Sequence, residues 1–235
     1  MAIPNYDALS VQLSRFIADT AASAAATGDG KRWTSAQRDN HLNYSIKEWM
    51  QKQLASAVQR ENNGQSAVQN WHALRLLTAE EAQTLSNNAK ALSSWTGGVM
   101  YILAAQNATD TVDILPLPTQ QQRFIKTTIG FNNFINGSTT RQYYVIDAGS
   151  FRLLDGGTTT NDSVKLRYLK QPPTFTANTG STDIDTYIPS EYWRQILDLA
   201  IAFALEEYPT PENISRIQTK LALVDRQIFD APPAQ

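Results

Sequence analysis

The apolar positions in the last third of the chain change period from two to helical across a proline-marked break. Val164-Lys165-Leu166-Arg167-Tyr168-Leu169 alternates as a half-buried strand does, and Pro172-Pro173 ends it. A polar run from Thr174 to Thr186 leads to Pro189, placed to open a helix on which Trp193, Ile196, Leu197, Ala200, Phe203 and Ala204 share a face. Pro209 and Pro211 start a second helix, so the pair forms an αα-hairpin. In that second helix Ile214, Ile217, Leu221, Val224 and Ile228 recur at three- and four-residue steps over two heptads. Such a seam must pack on something. Two heptads rarely hold another chain alone, so the expected partner is the Trp193 helix.

Toward the N-terminus, Tyr6, Leu9, Leu13, Phe16 and Ile17 make one helical stripe, which the alanine-rich stretch Ala21 to Ala26 extends to a stop at Gly28-Asp29-Gly30. Thr34 or Ser35 caps a long second helix carrying Leu42, Ile46, Trp49, Met50, Leu54 and Val58, closed by Asn62-Asn63-Gly64. Ala67 to Leu77 reads as helix or strand. Thr78-Ala79-Glu80-Glu81 has the look of a capped helix start, with a hydroxyl for the free N–H groups and carboxylates for the dipole.

Strand signals dominate from Thr96 to Tyr168: Val99 to Leu103, Val112 to Leu115, Gln142 to Ile146, Phe151 to Leu154, and the Val164 run. Asp147-Ala148-Gly149-Ser150 is short enough to close a hairpin between the third and fourth of these, and Asp155-Gly156-Gly157 marks another turn. Pro116 and Pro118 are expected to open a helix running through Gln120 to Lys126. Strands in the middle bracketed by helices from both ends predict an α+β protein in which N- and C-terminal helices form a helical bundle with an inserted β-rich lobe. The expected division is 1–95 and 176–229 for the helical core, 96–175 for the lobe, and 230–235 for an extended tail.

Composition narrows the chemistry. The 235 residues are 42% hydrophobic, enough for a sizeable core, and include no cysteine, which removes disulfides, thiolate zinc sites and cysteine nucleophiles. The first residues lack a basic n-region followed by an apolar core, and no apolar run approaches the ~20 residues of a membrane span, so a soluble chain made in the cytoplasm is expected. Twenty basic and 22 acidic residues leave a net charge of −2, which disfavours tight nucleic-acid binding and suits a surface past which DNA slides. His41 and His72 have no evident catalytic partner, no G-x-S-x-G elbow is present, and Gly28-Asp29-Gly30-Lys31 follows a helix without the spacing of a phosphate loop. The pairs Asp110/Asp113 and Asp183/Asp185 read as turn and cap residues, and Glu206-Glu207 as a solvated helix end near which a basic group would be favourable. No catalytic residue, cofactor or metal is therefore expected.

Three stretches, "YYVIDAGSFRLLDGG", "VKLRYLKQPP" and "IPSEYWRQILDLAIAFALEEY", resemble the C-terminal half of the head-to-tail adaptor (ring) proteins of tailed bacteriophages; "KRWTSAQRDNHLNYSIKEWM" resembles their N-terminal helices. The resemblance implies a structural, non-enzymatic virion protein of the neck. It would form a homo-oligomeric ring, normally of about twelve copies, between the portal protein and the tail or next connector, with genomic DNA passing through and no membrane involved. It suggests portal docking by Phe229-Asp230-Ala231-Pro232-Pro233-Ala234-Gln235. Tail-side or neighbour contacts would come from Asn136-Gly137-Ser138-Thr139-Thr140 and from Gly156-Gly157-Thr158-Thr159-Thr160-Asn161. The competing readings are another neck layer such as a stopper or tail-completion protein, a hydrolase built on a histidine in a pocket, and a host-surface binding module.

Overall fold

The computed structural model describes residues 6–18, 35–108, 113–117, 142–154, 163–176, 184–207 and 209–230. They form a mixed α and β protein with five α-helices and two sheets: α1 (Tyr6–Ala18), α2 (Ser35–Asn62), α3 (Val68–Leu74), β1 (Thr78–Thr84), β2 (Ala89–Ala91), β3 (Val99–Asn107), β4 (Ile114–Pro116), β5 (Gln142–Asp147), β6 (Ser150–Leu154), β7 (Ser163–Lys170), α4 (Trp193–Glu206) and α5 (Pro211–Phe229). The chain divides into two compact units, Met1–Leu77 with Pro172–Gln235, and Thr78–Gln171. That division falls earlier than the expected 95 and 175, because Thr78 already starts a strand of the second unit. The alanine-rich extension of α1 and the helix expected through Gln120 to Lys126 lie outside the described residues.

In the first unit α1, α2 and α5 each pack against α4. This central helix is buried on more than the single face its sequence suggested: beside Trp193, Ile196, Leu197, Ala200 and Ala204 it buries Leu199, Ile201, Ala202 and Leu205, while Phe203 is half-buried. A helix apolar all round is one enclosed by others. Leu9, Leu13 and Ile17 of α1 and Leu42, Ile46, Trp49 and Met50 of α2 are buried as their spacing required; Phe16 stays exposed and Leu54 and Val58 half-buried. The α5 seam packs within the chain through Ile217, Val224 and Ile228, and its first residue, Ile214, remains exposed. Thr210 caps α5 by accepting from Asn213 N at 3.2 Å, with Pro211 in the first turn. The ambiguous Ala67 to Leu77 is helical: α3 continues into a single 3₁₀ turn, Arg75–Leu77.

The second unit holds an antiparallel sheet, β1-β7-β3, and a second sheet, β2-β6-β5-β4, in which β4 runs parallel to β5. The two sheets share one core of Leu85, Trp95, Val99, Ala105, Ile114, Tyr144, Phe151, Leu153, Val164, Leu166 and Tyr168. The expected hairpin is present: β5 and β6 pair from Tyr143↔Leu154 to Asp147↔Ser150, and Ala148 and Gly149 both take positive φ (45° and 75°), the left-handed backbone a two-residue turn demands. Pro116, expected to begin a helix, is instead paired with Tyr144 in β4. The Thr78-Ala79-Glu80-Glu81 segment is β1 and not a helix start. It pairs Thr78↔Leu169 to Thr84↔Ser163, and the Glu81 carboxylate is used across the fold, where Oε2 accepts from Thr96 N at 3.0 Å and lies 3.1 Å from the Tyr168 hydroxyl. Tertiary pairing overrides a local helix signal here.

Tyr168 and Glu81 make the second unit pH-sensitive. Burial, then the hydrogen bond and charge of Glu81, push the Tyr168 phenol up to about 12; the Thr96 N–H holds Glu81 below the usual carboxylate range. Between about pH 10 and 12 the unfolded chain has lost a proton that the native chain keeps, so stability present below pH 10 is lost as pH rises, by about 2–3 kcal/mol for this group. Burial also raises Tyr144, in the same direction. Urea unfolding across this range should show Tyr168→Phe flattening the decline, with a smaller slope left from Tyr144. For Glu81 the sign is opposite: its contribution is present above the ordinary carboxylate value and lost as pH falls through the depressed one.

Candidate functional site

Three buried or half-buried polar arrangements tie the helices together. Trp49 Nε1 donates to Gln195 Oε1 at 2.8 Å, Gln53 Nε2 reaches the same oxygen at 3.3 Å, and Asn70 Nδ2 donates to Gln53 Oε1 at 2.8 Å, so α2, α3 and α4 share one network. Asn43 clamps the segment after the double proline, its amide donating to Phe175 O at 2.7 Å while its oxygen accepts from Phe175 N at 2.8 Å. Asp198, with a side chain 1% exposed, takes Lys220 Nζ at 2.5 Å and Arg194 Nε at 3.4 Å. These contacts orient helices.

The histidines sit beside acids. His41 Nε2 is 3.1 Å from Glu207 Oε1, the basic neighbour that the Glu206-Glu207 helix end invites, and His72 Nδ1 is 3.8 Å from Glu191 Oε1 and 3.5 Å from the Tyr192 hydroxyl. Ser45, one turn beyond His41, spends its hydroxyl on the His41 carbonyl at 2.6 Å. Neither histidine lines the β-unit groove described below or the shallow depression along α2 at Leu54, Ala55 and Val58. Asp113 bonds Gln106, and among the described residues no three His, Cys, Asp or Glu side chains come together to hold a metal. No helix among them is long and apolar enough to cross a membrane.

An apolar groove of about 630 Å³ lies in the second unit. Its origin lies in β3. That strand pairs with β7 along one edge, but the register slips twice, leaving Met100 and Leu103 without partners and breaking the alternation of its side chains. Along the other edge β3 meets β4 at an isolated bridge, Gln106↔Asp113, where Gln106 Nε2 donates to Asp113 Oδ1 at 3.0 Å. β4 pairs with β5, and among the described residues no strand pairs with the edge of β3 opposite β7 from Val99 to Ala105. Val99–Ala105 form one bank and Asp113–Pro116 the other, with Leu92, Tyr144 and Ile146 between. Tyr101, Leu115 and Ile146 are 39%, 42% and 45% exposed, and Asp113 is the one charged residue in the lining.

The residues expected to make contacts are only partly placed. Phe229 ends α5, 37% exposed, its carbonyl accepting from Arg60 NH2 at 2.8 Å; Asp230 is exposed and its N–H donates to Arg226 O at 3.0 Å. Residues 231–235, 136–140 and 156–161 lie outside the described residues. The groove itself escapes the sequence pattern, although the unbroken run Val99-Met100-Tyr101-Ile102-Leu103 carried a hint: apolar residues of both parities in a strand need cover on both faces. No protein-family model matches the chain, and no curated protein matches it.

Proposed function

We propose that this protein is a structural component of a tailed-phage neck, a head-to-tail connector (adaptor) ring that joins the portal to the tail and lines the DNA channel. The observation that carries the reading is how the chain is partitioned. α1 and α2 from one end and α4 and α5 from the other pack in one unit, while Thr78–Gln171, the intervening stretch, makes a second unit of its own. This partition supports reading the chain as the helical bundle with an inserted β-rich lobe that the adaptor-like motifs imply.

The chemistry is consistent with work done by shape. The buried polar groups hold helices in register, the histidine–acid pairs are not part of the groove lining, and the net charge of −2 gives passing DNA no field to bind. In the ring each copy would present two unlike faces to its neighbours, the heterologous arrangement that closes by rotation. We assign portal docking to Phe229 through Gln235 and contacts with the tail side to the 136–140 and 156–161 segments. Particles assembled without this polypeptide should be DNA-filled heads lacking tails; tailed, infectious particles that never contained it would overturn the assignment.

A further inference from the structure

We propose that the Glu81 carboxylate is an acid-released latch on the turn at residues 95–98. Ionised, it holds the turn against β1 and β7; protonated, it lets the turn open while the rest of the second unit stays folded. The device lies wholly within Thr78–Gln171 and does not depend on the connector reading.

The turn leads from the 3₁₀ segment Leu92–Ser94 into β3. Thr96 N donates to Glu81 Oε2 at 3.0 Å, a hydrogen bond strengthened by the charge of its acceptor. The Tyr168 hydroxyl lies 3.1 Å from the same oxygen and 2.9 Å from Thr96 O. Its single proton can serve either, whereas Thr96 N–H bonds Glu81 alone among the described residues. The turn in turn secures the end of the unit: Gly98 N donates to Trp95 O at 2.8 Å, and Gly97 O and Gly98 O accept from Gln171 N at 3.2 and 3.3 Å. Gln171 is the residue at which the chain leaves this unit.

Two features oppose closure. Trp95 is 1% exposed, yet its indole N–H has no partner among the described residues, a cost that water admitted by an open turn relieves. Gly97 and Gly98 take φ of 77° and 68°, and as glycines they regain the most backbone freedom on release. Closure therefore depends on the charge of one carboxylate. The Thr96 N–H holds the Glu81 carboxyl below the ordinary carboxylate range, against the opposing effect of burial. The latch is thus closed at neutral pH and lost as pH falls through that depressed value.

The groups facing Glu81 do not titrate there. Tyr168 is pushed up to about 12, and Gln83, whose Nε2 donates to Glu81 Oε1, is neutral. Lys90 of β2 donates to Gln83 Oε1, and Lys170 lays its stem along Gly97. Glu80, on the other face of β1, pairs with Lys165 and stands across from Arg167.

Amide exchange followed by nuclear magnetic resonance on the full chain, expressed as protection relative to the free-peptide rate at each pH, tests the latch between about pH 6 and 2. Protection at Thr96, Gly98 and Gln171 should fall about tenfold, with the midpoint at which the Glu81 carboxyl carbon titrates, while protection at Leu166 and Tyr168 holds. Glu81→Gln, neutral throughout, should show the lower protection already at about pH 6 and no acid step. Unchanged protection at Thr96 through the Glu81 titration overturns the proposal. So does a parallel loss at Leu166 and Tyr168, which would be unfolding of the whole unit. Full protection at about pH 6 in Glu81→Gln overturns it as well, as does an acid step that survives in that variant and so belongs to another carboxylate such as Glu80. Should Glu81→Gln fail to fold, the titration of the parent chain decides by the first two criteria.

Discussion

Replacing Lys220 by methionine is expected to destabilise the helical unit by about 3–5 kcal/mol. Asp198 sits on α4, the helix that three others enclose, and its side chain is 1% exposed. Lys220 of α5 supplies the close contact at 2.5 Å, while Arg194 at 3.4 Å is itself largely in solvent. Methionine keeps most of the apolar stem but removes the ammonium, and leaves a buried carboxylate to the longer contact of a largely hydrated guanidinium. The cost comes from the stranded charge and not from the lost attraction, and this is separable. Asp198→Leu combined with Lys220→Met removes both charges and should recover most of the loss, because a well-packed apolar pair is often as stable as a buried ion pair. Urea unfolding followed by far-ultraviolet circular dichroism measures both; a single variant within about 1 kcal/mol of the parent would show that Arg194 or water compensates.

Trp193→Ala should cost a similar amount, about 3–5 kcal/mol, for a different reason. The indole is 1% exposed at the first turn of α4, and its N–H donates to Ile188 O at 3.2 Å, pinning the turn that enters the helix. Truncation opens a cavity in the middle of the helical packing and leaves the Ile188 carbonyl without its donor. Trp193→Phe keeps much of the volume and loses the hydrogen bond, so its smaller loss, about 1–3 kcal/mol, separates packing from hydrogen bonding. Equal losses for the two variants would mean that the bond, and not the volume, holds this corner.

Sequence pattern revealed those elements whose burial is regular. Leu42, Ile46, Trp49 and Met50 on α2, the alternation of β7, and the Asp147–Ser150 turn each announce one geometry, because a single face is buried or a single backbone conformation is required. Where burial is irregular the pattern misleads. Thr78–Glu81 contains good capping residues and no β-branched run, and becomes a strand only through pairing with β7 seventy or more residues away. α4 is enclosed on more sides than one stripe can show. The groove was invisible because bulges at Met100 and Leu103 shift side chains between faces, which the strand periodicity does not record. Of the residues chosen as contacts, Phe229 and Asp230 are described, and they show a helix end secured by Arg60.

The central claim is that this protein closes into a ring on a portal, and a mass measurement reaches it most directly. Light scattering or native mass spectrometry should be run on the purified chain alone and with the portal assembly of the same phage. The connector reading predicts that a ring-sized increment, about twelve chains, appears only when the portal is present. A chain that stays monomeric and gives the portal no added mass would contradict it.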